Sequence, residues 1–208
     1  MFQFDDIEMI TNVYVINGMN FVFVIDTYLG PSIMEKIDLY IKDQFGNKPI
    51  FVINTHHDWD HIWGNCYFKS SLIIGHNLCV KNIKETGLKA LEEFKKYIKG
   101  NVILTYPNVT FESKIKFEDE GIEIYHTPGH TNDSISIIDY HDKVLFAGDN
   151  VEEPKPYLNK ENAEQYIKTL EEYLKLDVDI IIGGHTNVCN KSLIRKNIEY
   201  AQKLLNCE

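Results

Sequence analysis

Four times along this chain a short apolar run, rich in β-branched residues, stops at a histidine or an aspartate. Residues 50–53 lead into Thr55-His56-His57-Asp58-Trp59-Asp60-His61. Residues 122–125 lead to Pro128-Gly129-His130, residues 144–146 to Gly148-Asp149, and residues 178–182 to Gly183-Gly184-His185. Runs of this length and composition read as buried strands. Strand ends are rigid supports, and glycine lets the backbone turn sharply behind them. Four such ends carrying imidazole or carboxylate are explained economically by convergence on a binuclear metal site, and that requirement limits the folds open to the chain. The donor types suit zinc, iron or manganese.

The remaining pattern predicts a layered α/β protein. Residues 13–16 and 21–25 are β-branched and aromatic runs flanking Asn17-Gly18, a hairpin signal because both residues tolerate positive φ. Pro31 opens a helix with apolar positions Ile33, Ile37, Tyr40 and Ile41. Residues 71–74 read as a strand, and Leu88, Leu91, Phe94 and Ile98 mark a helix ending at Gly100. Strands and turns fill residues 102–149. Helical spacing returns at Ala163, Tyr166, Ile167, Leu170 and Leu174, and again at Ile194, Ile198, Ala201 and Leu205. Strand blocks with outer helices predict a layered sandwich rather than a doubly wound sheet. The early hairpin argues against an all-parallel sheet, which needs crossovers. No repeat or low-complexity linker interrupts the 208 residues, so a single domain spanning 1–208 is expected.

Composition excludes several roles. With 31 acidic and 21 basic residues the net charge is −10, which argues against nucleic-acid binding. The four cysteines, Cys66, Cys79, Cys189 and Cys207, form no CxxC pair. The first ten residues carry three acids and no base, unlike a secretory signal, and no apolar run approaches the ~20 residues of a membrane span. The expectation is a cytoplasmic protein acting on a small molecule, without nucleic-acid or membrane partners.

The ordered set His56, Asp58, Asp60, His61, His130, Asp149 and His185 resembles the metallo-β-lactamase superfamily motif. That motif is H-x-H-x-D-H after a strand, then a distant His, an Asp and a final His. Asn12-Val13-Tyr14 and Ile25-Asp26-Thr27 also look like that family's opening strands. The resemblance implies an α/β, four-layer αββα sandwich. It further implies two transition-metal ions: His56, Asp58 and His130 on one, Asp60, His61 and His185 on the other, and Asp149 bridging.

Asp58 departs from the pattern, which has histidine there. It is either a carboxylate ligand, as the glutamate of the flavodiiron branch is, or a vacated position. As a ligand it leaves two divalent ions at about +1, where histidine would leave about +2, and so favours harder ions such as iron or manganese. Neighbouring side chains on extended backbone diverge, so His57 does not simply replace it.

The leading expectation is hydrolysis of an ester, thioester, lactone or phosphoester, with Asp60 orienting the nucleophilic water. The alternative is a di-iron protein reducing or sensing oxygen or nitric oxide, with electrons from a separate protein. His76, His126 and His141 read as structural, Cys66 and Cys189 as packing, and Trp59 and Trp63 as packing beneath the metal segment. The acid-rich loop 151–157 is expected to overlook the site.

Overall fold

The computed structural model describes residues 1–206; Cys207 and Glu208 lie outside the described residues. The chain separates into two compact units, Met1–Glu112 and Ser113–Glu208.

The first unit is a six-stranded mixed sheet whose spatial order follows the chain: β1 (Phe2–Phe4), β2 (Thr11–Asn17), β3 (Val22–Ile25), β4 (Ile50–Ile53), β5 (Leu72–His76) and β6 (Val109–Phe111). The first three strands pair antiparallel and the rest parallel, starting with Val22 opposite Ile50. Each parallel step requires a crossover. The crossovers are supplied by α1 (Pro31–Phe45), by the short α2 (Trp59–Ile62) with the 3-10 turn after it, and by α3 (Asn77–Glu93).

Pro31 begins α1, where its fixed φ and missing N–H cost nothing. Met34, Ile37 and Ile41 form its buried stripe, each stabilising by about 1.5–3 kcal/mol relative to exposure. Tyr40, expected on that stripe, is exposed instead, and Met34 takes the inward place.

Two local expectations change. The hairpin between β2 and β3 forms, but Asn17 pairs with Val22, so residues 18–21 make the turn. Neither Asn17 nor Gly18 has positive φ. The expected helix up to Gly100 is displaced: α3 starts at Asn77, where the His76 side chain accepts from Leu78 N, and ends at Glu93. Leu88 is exposed, and Gly87 is the buried position. Beyond Glu93, Lys99 N donates to Leu29 O and Ser32 N to Lys99 O. These bonds tie residues 98–100 to the start of α1, which a continuing helix could not allow.

The second unit is a five-stranded sheet ordered β11-β10-β9-β8-β7. Its strands β7 (Lys114–Phe117), β8 (Ile122–His126), β9 (Ile135–Asp139) and β10 (Val144–Gly148) form an antiparallel meander. The helix α4 (Ala163–Lys175) carries the chain to β11 (Ile180–Gly183), parallel to β10, and α5 (Lys191–Asn206) follows. Tyr166, Leu170 and Tyr173 on α4 and Leu193, Ile194 and Ala201 on α5 pack into one core with Leu145 and Ile181. A register shift between Phe146 and Gly148 ends β10, and Gly148 turns the chain at φ 51. No helix of the described residues is long and apolar enough to cross a membrane.

Gly64 allows the closest backbone approach in the first unit. A Cβ there would sit 2.1 Å from Thr27 O and 2.5 Å from Met34 Cγ. Gly64→Ala is therefore expected to destabilise by about 1–3 kcal/mol or more, because the nearest obstacle is backbone. Leu88→Ala on the exposed face should stay within about 0.5 kcal/mol. Urea unfolding of both variants measures the difference; equal midpoints would mean the α1–Gly64 packing is looser than described.

Candidate metal centre

In the first unit the expected donors follow β4 directly. Asp26, at the end of β3, organises them. Its Oδ1 accepts from Thr55 N at 2.8 Å, and its Oδ2 accepts from Thr55 Oγ1 at 2.7 Å and from His61 Nδ1 at 2.8 Å. Thr55 Oγ1 has one proton, given to Asp26, so it accepts from His56 Nδ1 at 3.0 Å. The network thus sets both tautomers: His56 and His61 carry their protons on Nδ1 and present Nε2 as the basic nitrogen. The two rings lie 4.2 Å apart between centroids. Asp58 Oδ2 is 3.3 Å from His56 Nε2, and Asp60 Oδ2 is 3.5 Å from His61 Nε2. His56, Asp60 and His61 are buried, while the Asp58 side chain is 36% exposed and so reaches toward solvent.

Behind this cluster Asn54 and Asn65 exchange side-chain hydrogen bonds of 3.0 and 2.8 Å, and Thr27 N donates to His61 O at 2.7 Å. The helix α2 is held against the ends of β3 and β4 by these polar contacts.

In the second unit, three loops after strands bring His130, Asp149 and His185 together. Asp149 Oδ2 lies 3.2 Å from His185 Nε2 and 3.8 Å from His130 Nε2. Asn150 holds the His130 loop: its Oδ1 accepts from His130 N, and its Nδ2 donates to Thr127 O and the Tyr173 hydroxyl. Gly129 is required there, since a Cβ would meet Asn150 Oδ1 at 2.6 Å. His130 Nδ1 donates to Tyr157 O at 3.0 Å, so its Nε2 is also the basic nitrogen. Burial, and next the charge of Asp149, push the nearby Glu152 carboxyl above its ordinary range.

Every expected donor thus lies in one of two clusters: His56, Asp58, Asp60 and His61 in the first unit, His130, Asp149 and His185 in the second. His76 is structural, capping α3 and donating from Nε2 to Glu112 O. His126 donates to Asn132 O. Trp63 is buried, and Trp59 stacks on Phe94 at 4.5 Å. His57 lies 3.5 Å from Asp58 Oδ1 through Nε2. The organising residues Asp26, Thr55 and Asn150 were not among the expected site residues. Asp26 and Asn150 sit beside strand ends, but their role depends on partners 29 and 20 residues away.

The sequence model of the metallo-beta-lactamase superfamily matches residues 7–185. The chain belongs to that superfamily, whose members typically bind metal ions. It is 31% identical over 149 residues to a protein of Methanocaldococcus jannaschii named as a probable metallo-hydrolase, a match covering 69% of this chain and 60% of that relative. It is 26% identical to the acyl-coenzyme A thioesterase MBLAC2 of Homo sapiens, over 85% of this chain and 73% of the relative. Among solved structures, the DIM-1 metallo-beta-lactamase superposes with a TM-score of 0.76 at 17% identity, over 94% of this chain and 88% of that one. TMB-1 gives 0.75 at 19% identity, over 94% and 86%. The expected metallo-β-lactamase fold, with two mixed sheets and helices, is the fold of this chain.

Removing the anionic acceptor of His61 tests the network. Asn tolerates the positive φ of 59 at position 26, so Asp26→Asn should keep the fold. It should lower affinity for divalent zinc by about 10–100-fold, the usual effect of losing a partner that orients a ligand. Competition with a chromophoric chelator reads the change; unchanged affinity would remove Asp26 from any metal-orienting role.

Proposed function

We propose that this chain is a metal-dependent hydrolase of acyl esters or thioesters and that residues 1–208 act as a single domain. His56, Asp58 and His130 would hold one ion, Asp60, His61 and His185 a second, and Asp149 would lie between them. The observation that carries the reading is the pinned tautomer of three histidines. His56, His61 and His130 each commit Nδ1 to an acceptor, so each offers Nε2 to a cation. Zinc, iron and manganese all accept such a donor set.

When bound, the ions would acidify a water and polarise the scissile carbonyl. The chain's own contribution is placement. Asp60, fixed beside His61, would accept a hydrogen bond from the attacking water and orient it. Asp26 and Thr55 hold the imidazoles rigidly, so no reorganisation is needed as charge develops.

Two features favour an acyl substrate over a phosphoester. A pocket of about 240 Å³ opens beside Asp58, with apolar walls from Trp59, Ile62, Trp63, Ala90 and Phe94 and polar lining from His57, Thr86, Lys89 and Glu93. Such apolar walls suit the hydrocarbon part of an acyl group. The likeness to an acyl-coenzyme A thioesterase points the same way. The net charge of −10 works against a polyanionic leaving group, so thioesters of uncharged thiols should bind more readily at low salt.

Asp58 supports a second reading, a di-iron redox protein supplied by an electron-donor protein. Its carboxylate faces His56 Nε2 at 3.3 Å, and a third carboxylate stabilises a harder, more oxidised ion.

The discriminating experiment loads the protein with zinc, manganese or iron(II). Each form is assayed on a hexanoyl thioester of an uncharged thiol, on p-nitrophenyl phosphate, and for oxygen uptake with a chemical reductant. The expected result is thioester turnover exceeding phosphoester turnover by at least about tenfold. Asp58→His should keep this activity and shift metal preference toward zinc. Oxygen uptake by the iron form, with no hydrolysis under any metal and loss of uptake in Asp58→His, would replace the hydrolase by the redox protein.

A further inference from the structure

The loop after Asp149 carries a buried carboxylate with no part in the proposed chemistry. Glu152 is 9% exposed, and both its backbone and its side chain are engaged. On α5 the buried Asn197 uses its side chain as a clamp: Oδ1 accepts from Glu152 N at 3.1 Å, and Nδ2 donates to Glu152 O at 2.7 Å. The Glu152 side chain reaches forward, its Oε2 accepting from Tyr157 N at 2.7 Å. Tyr157 O in turn accepts from His130 Nδ1 at 3.0 Å. A continuous line of contacts therefore runs from the buried Asn197 of α5 to the imidazole of His130.

We infer that Glu152 is a positioning residue for His130, acting through the Tyr157 peptide; this rests on the metal-site assignment proposed above.

The loop that carries Tyr157 has little of its own to hold it in place. Tyr157 is 78% exposed, so its side chain supplies little burial to fix the backbone beside it. Glu153, Pro154 and Lys155 are exposed, Pro156 is buried, and residues 153–156 form no regular element. The carbonyl that sets the His130 tautomer thus belongs to a segment that burial holds at Pro156 alone. The bond from Tyr157 N to Glu152 closes residues 152–157 into a ring, and Asn197 fixes its base. Without it, the Tyr157 carbonyl would sample many directions, and His130 would lose the acceptor that keeps its proton on Nδ1. A ligand imidazole that must choose its tautomer on binding pays in affinity, as removal of partners that orient ligands does elsewhere.

The bond needs an acceptor oxygen and not a charge. Glu152→Gln retains such an oxygen, whereas Glu152→Leu fills similar space and leaves Tyr157 N without its acceptor. The Asn197 clamp grips the Glu152 backbone, so both variants keep the base of the loop. Tyr157→Ala removes the ring but leaves the peptide.

The test measures zinc affinity by chelator competition, and the His130 Nδ1–H signal by NMR of protein labelled with ¹⁵N-histidine. Circular dichroism and thermal melts establish that each variant is folded. Glu152→Gln and Tyr157→Ala should bind zinc within about threefold of the parent chain, and Glu152→Leu about tenfold or more weakly. In Glu152→Leu the protected His130 Nδ1–H signal should weaken or vanish, with or without metal. Equal losses in Glu152→Gln and Glu152→Leu would show that charge near Asp149 is what matters and would overturn the inference. So would unchanged zinc affinity and an unchanged signal in Glu152→Leu. These readouts involve no substrate, so absence of ester hydrolysis would count against the hydrolase alone. If the parent chain bound no zinc, the metal assignment would fail, and the NMR signal would still decide whether Glu152 orders His130.

Discussion

The carboxylate of Asp26 joins three elements that the sequence leaves separate. It sits at the end of β3, accepts the backbone N–H and hydroxyl of Thr55 at the end of β4, and accepts His61 Nδ1 from α2. Its backbone is held at φ 59, outside the range most residues adopt. That conformation costs roughly 1–3 kcal/mol. Hydrogen bonds to a charged group contribute roughly 1.5–3 kcal/mol each. Three of them outweigh the strain, and their donors would be costly to leave buried without acceptors. The local conformation is thus stabilised by contacts that exist only when β3, β4 and α2 are in place. The same contacts orient His61 directly, and His56 through Thr55.

The second unit reaches the same end differently. Here an amide, Asn150, satisfies the His130 N–H, the Thr127 carbonyl and the Tyr173 hydroxyl at once. An amide suits this place because it must accept on one side and donate on the other, which a carboxylate cannot do. Glycines supply the clearance: Gly129 lets Asn150 approach, and Gly183 lets Val151 O pass, where a Cβ would lie 2.2 Å away. In both units rigid strands deliver the donors, and buried polar side chains aim them.

The departure at Asp58 gives the site its individual character. A carboxylate there lowers the positive charge of a loaded site by about one unit relative to imidazole, which favours harder ions and moderates Lewis acidity. Asp58 is also more exposed than the other first-unit donors and forms part of the wall of the aromatic pocket. In the proposed site, metal preference and substrate fit would meet at this one residue.

Much of this was legible along the chain. The apolar runs at residues 50–53, 122–125 and 144–146 became strands, and the candidate donors follow strands, Asp60 and His61 on the short α2 after β4, because local hydrophobic pattern and glycine placement act over a few residues. The α1 and α4 helices were legible for the same reason. The hairpin turn was misread because Asn17 is drawn into pairing with Val22, a choice made by sheet register. The end of α3 was misread because residues 98–100 bond to the start of α1 rather than extending the helix. The roles of Asp26 and Asn150 were not legible, because each acts on a partner outside its own segment, 29 and 20 residues away; the loop of Glu152 was marked as acid-rich, but its anchoring by Asn197 comes from 45 residues away. The sequence by itself determined the candidate donors and the apolar strands that precede them. Only the tertiary structure decided which nitrogen His56, His61 and His130 offer, because a tautomer is set by the acceptor on the other side of the ring, and those acceptors are fixed by Asp26 and by Tyr157, which lie far along the chain.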